Sequence, residues 1–201
     1  MGNKAVFLDR DGTINEEMGY VNHIERFILL PRVTEAIRLL NQKGIKVIVI
    51  TNQSGVARGY FPESLIHEVH KKMEELLRMG GAYIDAIYYC PHHPEEGFPP
   101  YRQLCRCRKP ETGLIEEAVK KFDIDCSQSY MIGDRGIDIE FGHKIGAKSI
   151  LVLTGYGKGE LEYCRGQWKQ WPDYVAKDLY EAVEWIIKQE DERLNILFKE
   201  E

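Results

Sequence analysis

The sequence predicts an α/β fold built on a doubly wound, mostly parallel sheet. Three observations carry that expectation. Short apolar runs recur along the chain, helical patterns fill the intervals between them, and polar turns rich in Asp and Gly follow several of the runs. Continuous apolar runs mark strands buried on both faces. Strands alternating with helices imply parallel pairing through crossover helices.

The elements follow in order. Ala5 to Leu8 reads as the first strand. Val33, Ile37 and Leu40 then repeat at helical spacing, with Gly44 placed to end the helix. Lys46 to Thr51 is the second strand. Pro62 sits where the next helix starts, and Leu65, Ile66, Val69, Met73 and Leu76 continue it. Ala86 to Tyr89 is the third strand. Thr112 can cap a helix through Ile115, Val119 and Phe122. Ser129 to Ile132 is the fourth strand, and Asp138 opens a short helix ending near Gly146. Ser149 to Leu153 is the fifth strand. Asp178 precedes the last amphipathic helix, marked by Leu179, Ala182, Val183 and Ile186. These elements make one domain over residues 1–188. A highly charged segment, 189–201, reads as a helical extension or a frayed tail. The loop 90–110 is rich in Pro and long for a compact domain, so something must order it.

A chain of 201 residues with 43% hydrophobic and 29% charged residues is expected to bury an ordinary soluble core. A net charge of −5 argues against a nucleic-acid surface. The amino terminus shows no secretory pattern and no run reaches membrane-spanning length, so the expectation is a cytoplasmic protein without a membrane partner. Five cysteines, an odd number, suit free thiols or a metal better than disulfides.

The candidate chemistry lies after the strands. Asp9-Arg10-Asp11-Gly12-Thr13 follows the first strand and sets two carboxylates two residues apart. Ligands of open parallel sheets bind beyond the carboxyl ends of the strands. Two hard oxygen ligands there suit Mg²⁺ and phosphate; a polar turn is the plainer alternative. Thr51-Asn52-Gln53-Ser54-Gly55 ends the second strand and offers a hydroxyl, amides and backbone N–H groups. Arg108-Lys109-Pro110 supplies cations, and Gly133-Asp134-Arg135-Gly136-Ile137-Asp138 places two more acids four residues apart.

This ordered set resembles the haloacid dehalogenase superfamily of phosphatases. The resemblance implies roles. Asp9 would be the nucleophile and Asp11 the general acid/base. Thr51 would hydrogen-bond the phosphoryl group, and Lys109 would offset its charge. Mg²⁺ would be held by Asp9, Asp134 and the main-chain carbonyl of Asp11, whose side chain points away from the metal. Asp138 would support the site without binding directly.

A second constellation lies in the Pro-rich loop. Cys90-Pro91-His92 precedes Cys105-Arg106-Cys107, and three Cys with one His match a closed, structural Zn²⁺ site. Free thiols beside a loop histidine are the alternative. His92 is preferred to His93 because its spacing from Cys90 repeats that of Cys105 and Cys107. A metal would explain how the loop 90–107 becomes ordered. Together with Gly19-Tyr20-Val21 and Asn52-Gln53-Ser54-Gly55-Val56-Ala57-Arg58-Gly59-Tyr60, the loop is similar to the zinc-bearing, nearly capless branch that contains heptose-bisphosphate phosphatases. That resemblance implies a small-molecule sugar bisphosphate as partner and removal of its 7-phosphate, in the synthesis of ADP- or GDP-heptose precursors. It also makes Asn52, Gln53, Ser54, Arg58 and Arg108 candidates for substrate contacts, in a monomer. Histidinol-phosphate phosphatases share the branch and are the alternative; a phosphoacceptor signalling domain is a more distant one.

Overall fold

The computed structural model describes residues 2–197. Six parallel strands form one sheet in the order β3-β2-β1-β4-β5-β6. They are β1 (Ala5–Leu8), β2 (Lys46–Asn52), β3 (Ala86–Cys90), β4 (Tyr130–Gly133), β5 (Lys148–Val152) and β6 (Tyr174–Ala176). The sheet is wholly parallel, because every strand-to-strand connection crosses over.

Helices α1 (Val33–Gln42), α2 (Glu63–Met79) and α6 (Leu179–Leu197) cover one face. Val6, Leu8, Val47 and Val49 point into that layer. Ala5, Phe7, Ile48 and Ile50 alternate to the other face, under α3 (Gly113–Phe122) and α4 (Gly136–Lys144). Burial of both sets explains why the strand sequences read as unbroken apolar runs. One-turn α5 (Gly157–Gly159) continues into irregular helical turns through Gln167 before β6.

Four expectations change. β6 is a sixth strand that the sequence reading left out: three residues on a sheet edge are too short to show a pattern. Thr112 precedes α3, but its hydroxyl donates to Glu116 (2.9 Å) instead of capping a backbone N–H. Asp138 does not open α4. It lies in the first turn, and its carboxylate accepts from the Arg135 N–H (3.2 Å) at the helix start. The boundary at 188 falls inside α6, which runs unbroken to Leu197. The helix is tied down there by Glu190, which accepts from the buried Tyr130 hydroxyl (2.8 Å) and pairs with Lys4. Residues 198–201 of the expected tail lie outside the described residues.

Between β1 and α1 the chain makes only one 3-10 turn, Ile24–Arg26. No cap domain is inserted there. The carboxyl ends of β1 and β4, where strand order reverses, therefore open directly into a cavity.

Candidate active site

Sheet register brings the separated motifs together. β1 delivers Asp9, its neighbour β2 delivers Thr51 and Asn52, and β4 on its other side delivers Asp134. Lys109 arrives from the segment before α3, and its Nζ donates to Asp9 Oδ1 (2.7 Å) and to Asp138 Oδ1 (2.6 Å). All four ionisable groups are buried.

Charge is out of balance in this cluster. Burial and the neighbouring carboxylates push Asp134 up to about 8, and burial raises Asp9 to about 6 even though Lys109 pulls it down. Asp134 Oδ2 accepts from the Tyr156 N–H (2.8 Å), while Asp134 Oδ1 is buried with no partner. Both Asp138 oxygens are occupied, by Lys109 and by Arg135 N–H. A divalent cation fits here: it would satisfy the orphaned oxygen and relieve the repulsion that raises both acids. Gly12 makes room for this arrangement. Its φ is +80°, and a Cβ there would meet Asp134 Oδ2 at 2.0 Å.

Asp11 stands apart from the cluster that could hold the cation, Asp9, Asp134 and Asp138. Its carboxylate accepts from Arg10 Nη2 (2.9 and 2.8 Å), Asn15 Nδ2 (2.9 Å) and Gln53 Nε2 (2.7 Å). Although burial acts against ionisation, the Arg10 charge and these donors hold the carboxyl below its ordinary range. Gln53 Nε2 also donates to Thr51 Oγ1 (3.0 Å), so the amide links the hydroxyl to the acid. Asn52 uses both ends on the Lys109 backbone, accepting from its N–H (3.0 Å) and donating to its carbonyl (3.2 Å). These two amides line the cavity, yet their hydrogen bonds position Asp11, Thr51 and Lys109.

The cavity holds about 400 Å³. Ser54 and Arg108 face it, and Arg108 Nη1 is anchored on the His92 carbonyl (3.1 Å). Arg58 does not line it. Its guanidinium pairs with Glu96 and meets His93 Nε2 (3.1 Å), a partnership across the Pro-rich loop that local sequence does not show. Sequence reasoning passed over Glu17, Arg135 and Tyr156, which do line it. Burial and the Asp11 charge raise the Glu17 carboxyl. Arg135 lies over the Tyr156 ring at 4.8 Å. Arg135 sits inside the Gly-Asp-x-x-x-Asp segment, and that placement was the available signal.

The Cys-His loop converges as its spacing predicts. Cys107 Sγ lies 3.1 Å from Cys105 Sγ and 3.2 Å from Cys90 Sγ, and Cys90 is 3.5 Å from Cys105. His92 Nδ1 completes the set, 3.3 Å from Cys107 Sγ. No disulfide links them. His93 is engaged elsewhere, its Nδ1 accepting from the Glu95 and Glu96 N–H groups (3.2 and 2.9 Å). Three soft sulfur donors and one imidazole nitrogen fit a tetrahedral ion with no open position.

Comparison with known proteins agrees with this geometry. Residues 106–182 match the family model described as HAD-hydrolase-like. The D-glycero-D-manno-heptose-1,7-bisphosphate 7-phosphatase of Thermosynechococcus vestitus is 43% identical over 190 residues, covering 92% of this chain and 96% of that protein. The chain belongs to this family of HAD-like phosphatases. The Haemophilus ducreyi D-glycero-beta-D-manno-heptose-1,7-bisphosphate 7-phosphatase is 46% identical over 157 residues, 77% of this chain and 86% of that one. Among solved structures, the D,D-heptose 1,7-bisphosphate phosphatase of B. bronchiseptica, complexed with magnesium and phosphate, superposes with a TM-score of 0.81 at 33% identity. It spans 92% of this chain and 99% of its own. The fold seen here is thus shared with a solved heptose-bisphosphate phosphatase.

Proposed function

We propose that this protein is a Mg²⁺-dependent phosphatase that removes the 7-phosphate of D-glycero-D-manno-heptose 1,7-bisphosphate through an aspartyl-phosphate. The observation that carries this reading is the buried set Asp9, Lys109 and Asp138, joined by Asp134 beside Asp9, in a cavity walled by two further cations, Arg108 and Arg135. A bisphosphate needs charge compensation at two places. Relatives 42–46% identical carry the same named activity.

When bound by Asp9, Asp134 and the Asp11 carbonyl, Mg²⁺ supplies positive charge for the phosphoryl oxygens. Everything else is done by side chains. The Asp9 carboxylate attacks phosphorus, and the bond from phosphorus to the sugar oxygen breaks. Lys109 stays on Asp9 Oδ1 and directs the carboxylate, while Thr51 donates to a phosphoryl oxygen. Asp11 gives its proton to the leaving oxygen and later takes one from the water that hydrolyses the aspartyl-phosphate. The dianion seated beside Asp11 raises its pKa toward the value an acid needs, against the donors that lower it in the free enzyme.

Cys90, His92, Cys105 and Cys107 would hold a structural Zn²⁺, and Arg108 and Lys109 follow Cys107 directly. Reduced thiols of this kind suit the cytoplasm. Among the described residues no helix is long and apolar enough to cross a membrane. The nucleophile, the acid/base, the lysine and the metal-binding acids all come from one chain, which supports a monomer. Phosphorus NMR of the reaction tests the assignment: the 7-phosphate resonance should vanish while the anomeric phosphate persists. Loss of the anomeric phosphate first would overturn it.

A further inference from the structure

A buried, titratable side chain next to the residues around Asp11 has no part in the mechanism. His70 sits on the inner face of α2, 7% exposed, among Ile66, Val69 and Met73. Its Nε2 lies 3.4 Å from Arg10 Nη1. Arg10 is itself 1% exposed, and its Nη2 reaches both Asp11 oxygens and Gln53 Oε1 (3.1 Å).

An arginine only donates, so His70 Nε2 must accept. That fixes the neutral imidazole with its proton on Nδ1. Burial and the Arg10 charge hold the ring in that state, lowering it to about 3 against the smaller, opposing pull of Asp11. His67 on the same helix and Tyr89 on β3 are the other polar groups around the ring. Arg10 is thus held at both ends, by Asp11 and Gln53 on one side and His70 on the other.

We propose that His70 is a positioning residue for proton transfer: as a neutral acceptor it fixes the Arg10 guanidinium, which aims the Asp11 carboxylate at the leaving oxygen. This rests on the acid/base reading of Asp11. The role has a signature that simple packing lacks. A misaimed acid slows departure of a poor leaving group such as a sugar alkoxide, yet hardly affects p-nitrophenolate, which leaves without a proton.

The experiment compares kcat/KM for heptose 1,7-bisphosphate and p-nitrophenyl phosphate in wild type, His70→Leu, His70→Gln and Asp11→Asn. Asp11→Asn is expected to lose the sugar reaction selectively. His70→Leu is expected to lose about ten- to a hundredfold on the sugar substrate, the scale of a small misplacement of a reacting group, with little change on the aryl phosphate. His70→Gln, which keeps a neutral acceptor, is expected to recover most of the loss. If His70→Leu folds poorly, His70→Met gives the same comparison, since its flexible chain adapts to the space. Equal losses on both substrates, no loss at all, or no recovery with Gln would each overturn the proposal. If Asp11→Asn itself shows no selectivity, the reading of Asp11 fails along with it.

Discussion

Replacing Lys109 with Met removes the one cation between Asp9 and Asp138 while keeping a long side chain in place. Lys109 stands 2.7 and 2.6 Å from the two carboxylates, and all three groups are buried. Stripping one partner from such a buried set costs about 3–5 kcal/mol. A second route gives a similar figure. The folded variant can restore balance by binding one extra proton, and holding a proton at pH 7 on a carboxyl of ordinary pKa costs about 4 kcal/mol. For a chain of this size that lowers Tm by about 8–16 °C. The extra proton fixes the sign of the pH dependence. The variant's folded state binds more protons than the wild type's, so its stability falls relative to wild type as pH rises. The gap should shrink by about 1 kcal/mol from pH 7 to pH 6 and then level off at about 3 kcal/mol, because wild-type Asp9, raised to about 6, takes up a proton there as well. Urea unfolding of both proteins in magnesium-free buffer, from pH 5 to 7.5, measures it. A gap under 1 kcal/mol at pH 7, or one that does not change with pH, would refute the charge-balance reasoning.

Binding of Mg²⁺ at pH 7 should release close to one proton, because Asp134, raised to about 8, is mostly protonated without the metal and must ionise to bind it. Titration calorimetry in buffers of different ionisation heat reads the proton directly, and affinity should rise from pH 7 to pH 8. Gly12→Ala places a Cβ 2.0 Å from Asp134 Oδ2 at a φ of +80°, so Mg²⁺ affinity should fall by at least tenfold at a strain cost of about 1–3 kcal/mol; unchanged affinity would show that the close approach is unimportant. Metal analysis should find one zinc per chain, and Cys107→Ser should lose it. That variant should also show a raised KM with partial kcat, since Arg108, anchored on the His92 carbonyl, loosens with the loop.

The legible part of this molecule was the part written locally. Apolar runs marked five strands because both sheet faces are buried, and the motif acids stood out because they follow those runs directly. The Cys-His loop could be read because only a few arrangements of such ligands do useful chemistry. What stayed hidden depends on pairing across the fold. Asn52 and Gln53 read as substrate contacts in a polar loop and do line the cavity; that they also hold Lys109, Thr51, Asp11 and Arg10 appears only once the folded chain brings the segment before α3 to Asn52. Arg58 was expected to meet substrate, yet Glu96 and His93 hold it. His70 reads as one more position on an apolar helix face; its meaning comes from Arg10, sixty residues away. β6 carried too few residues to be seen.

In the proposed function the acids define the reaction and the cavity walls select a sugar bisphosphate. It is tested most directly by kcat/KM for heptose 1,7-bisphosphate, in both anomers, against histidinol phosphate with Mg²⁺ present. A preference of at least a hundredfold for one heptose bisphosphate is expected, about 3 kcal/mol of transition-state binding from the second phosphate and its cations. A higher kcat/KM for histidinol phosphate would contradict it.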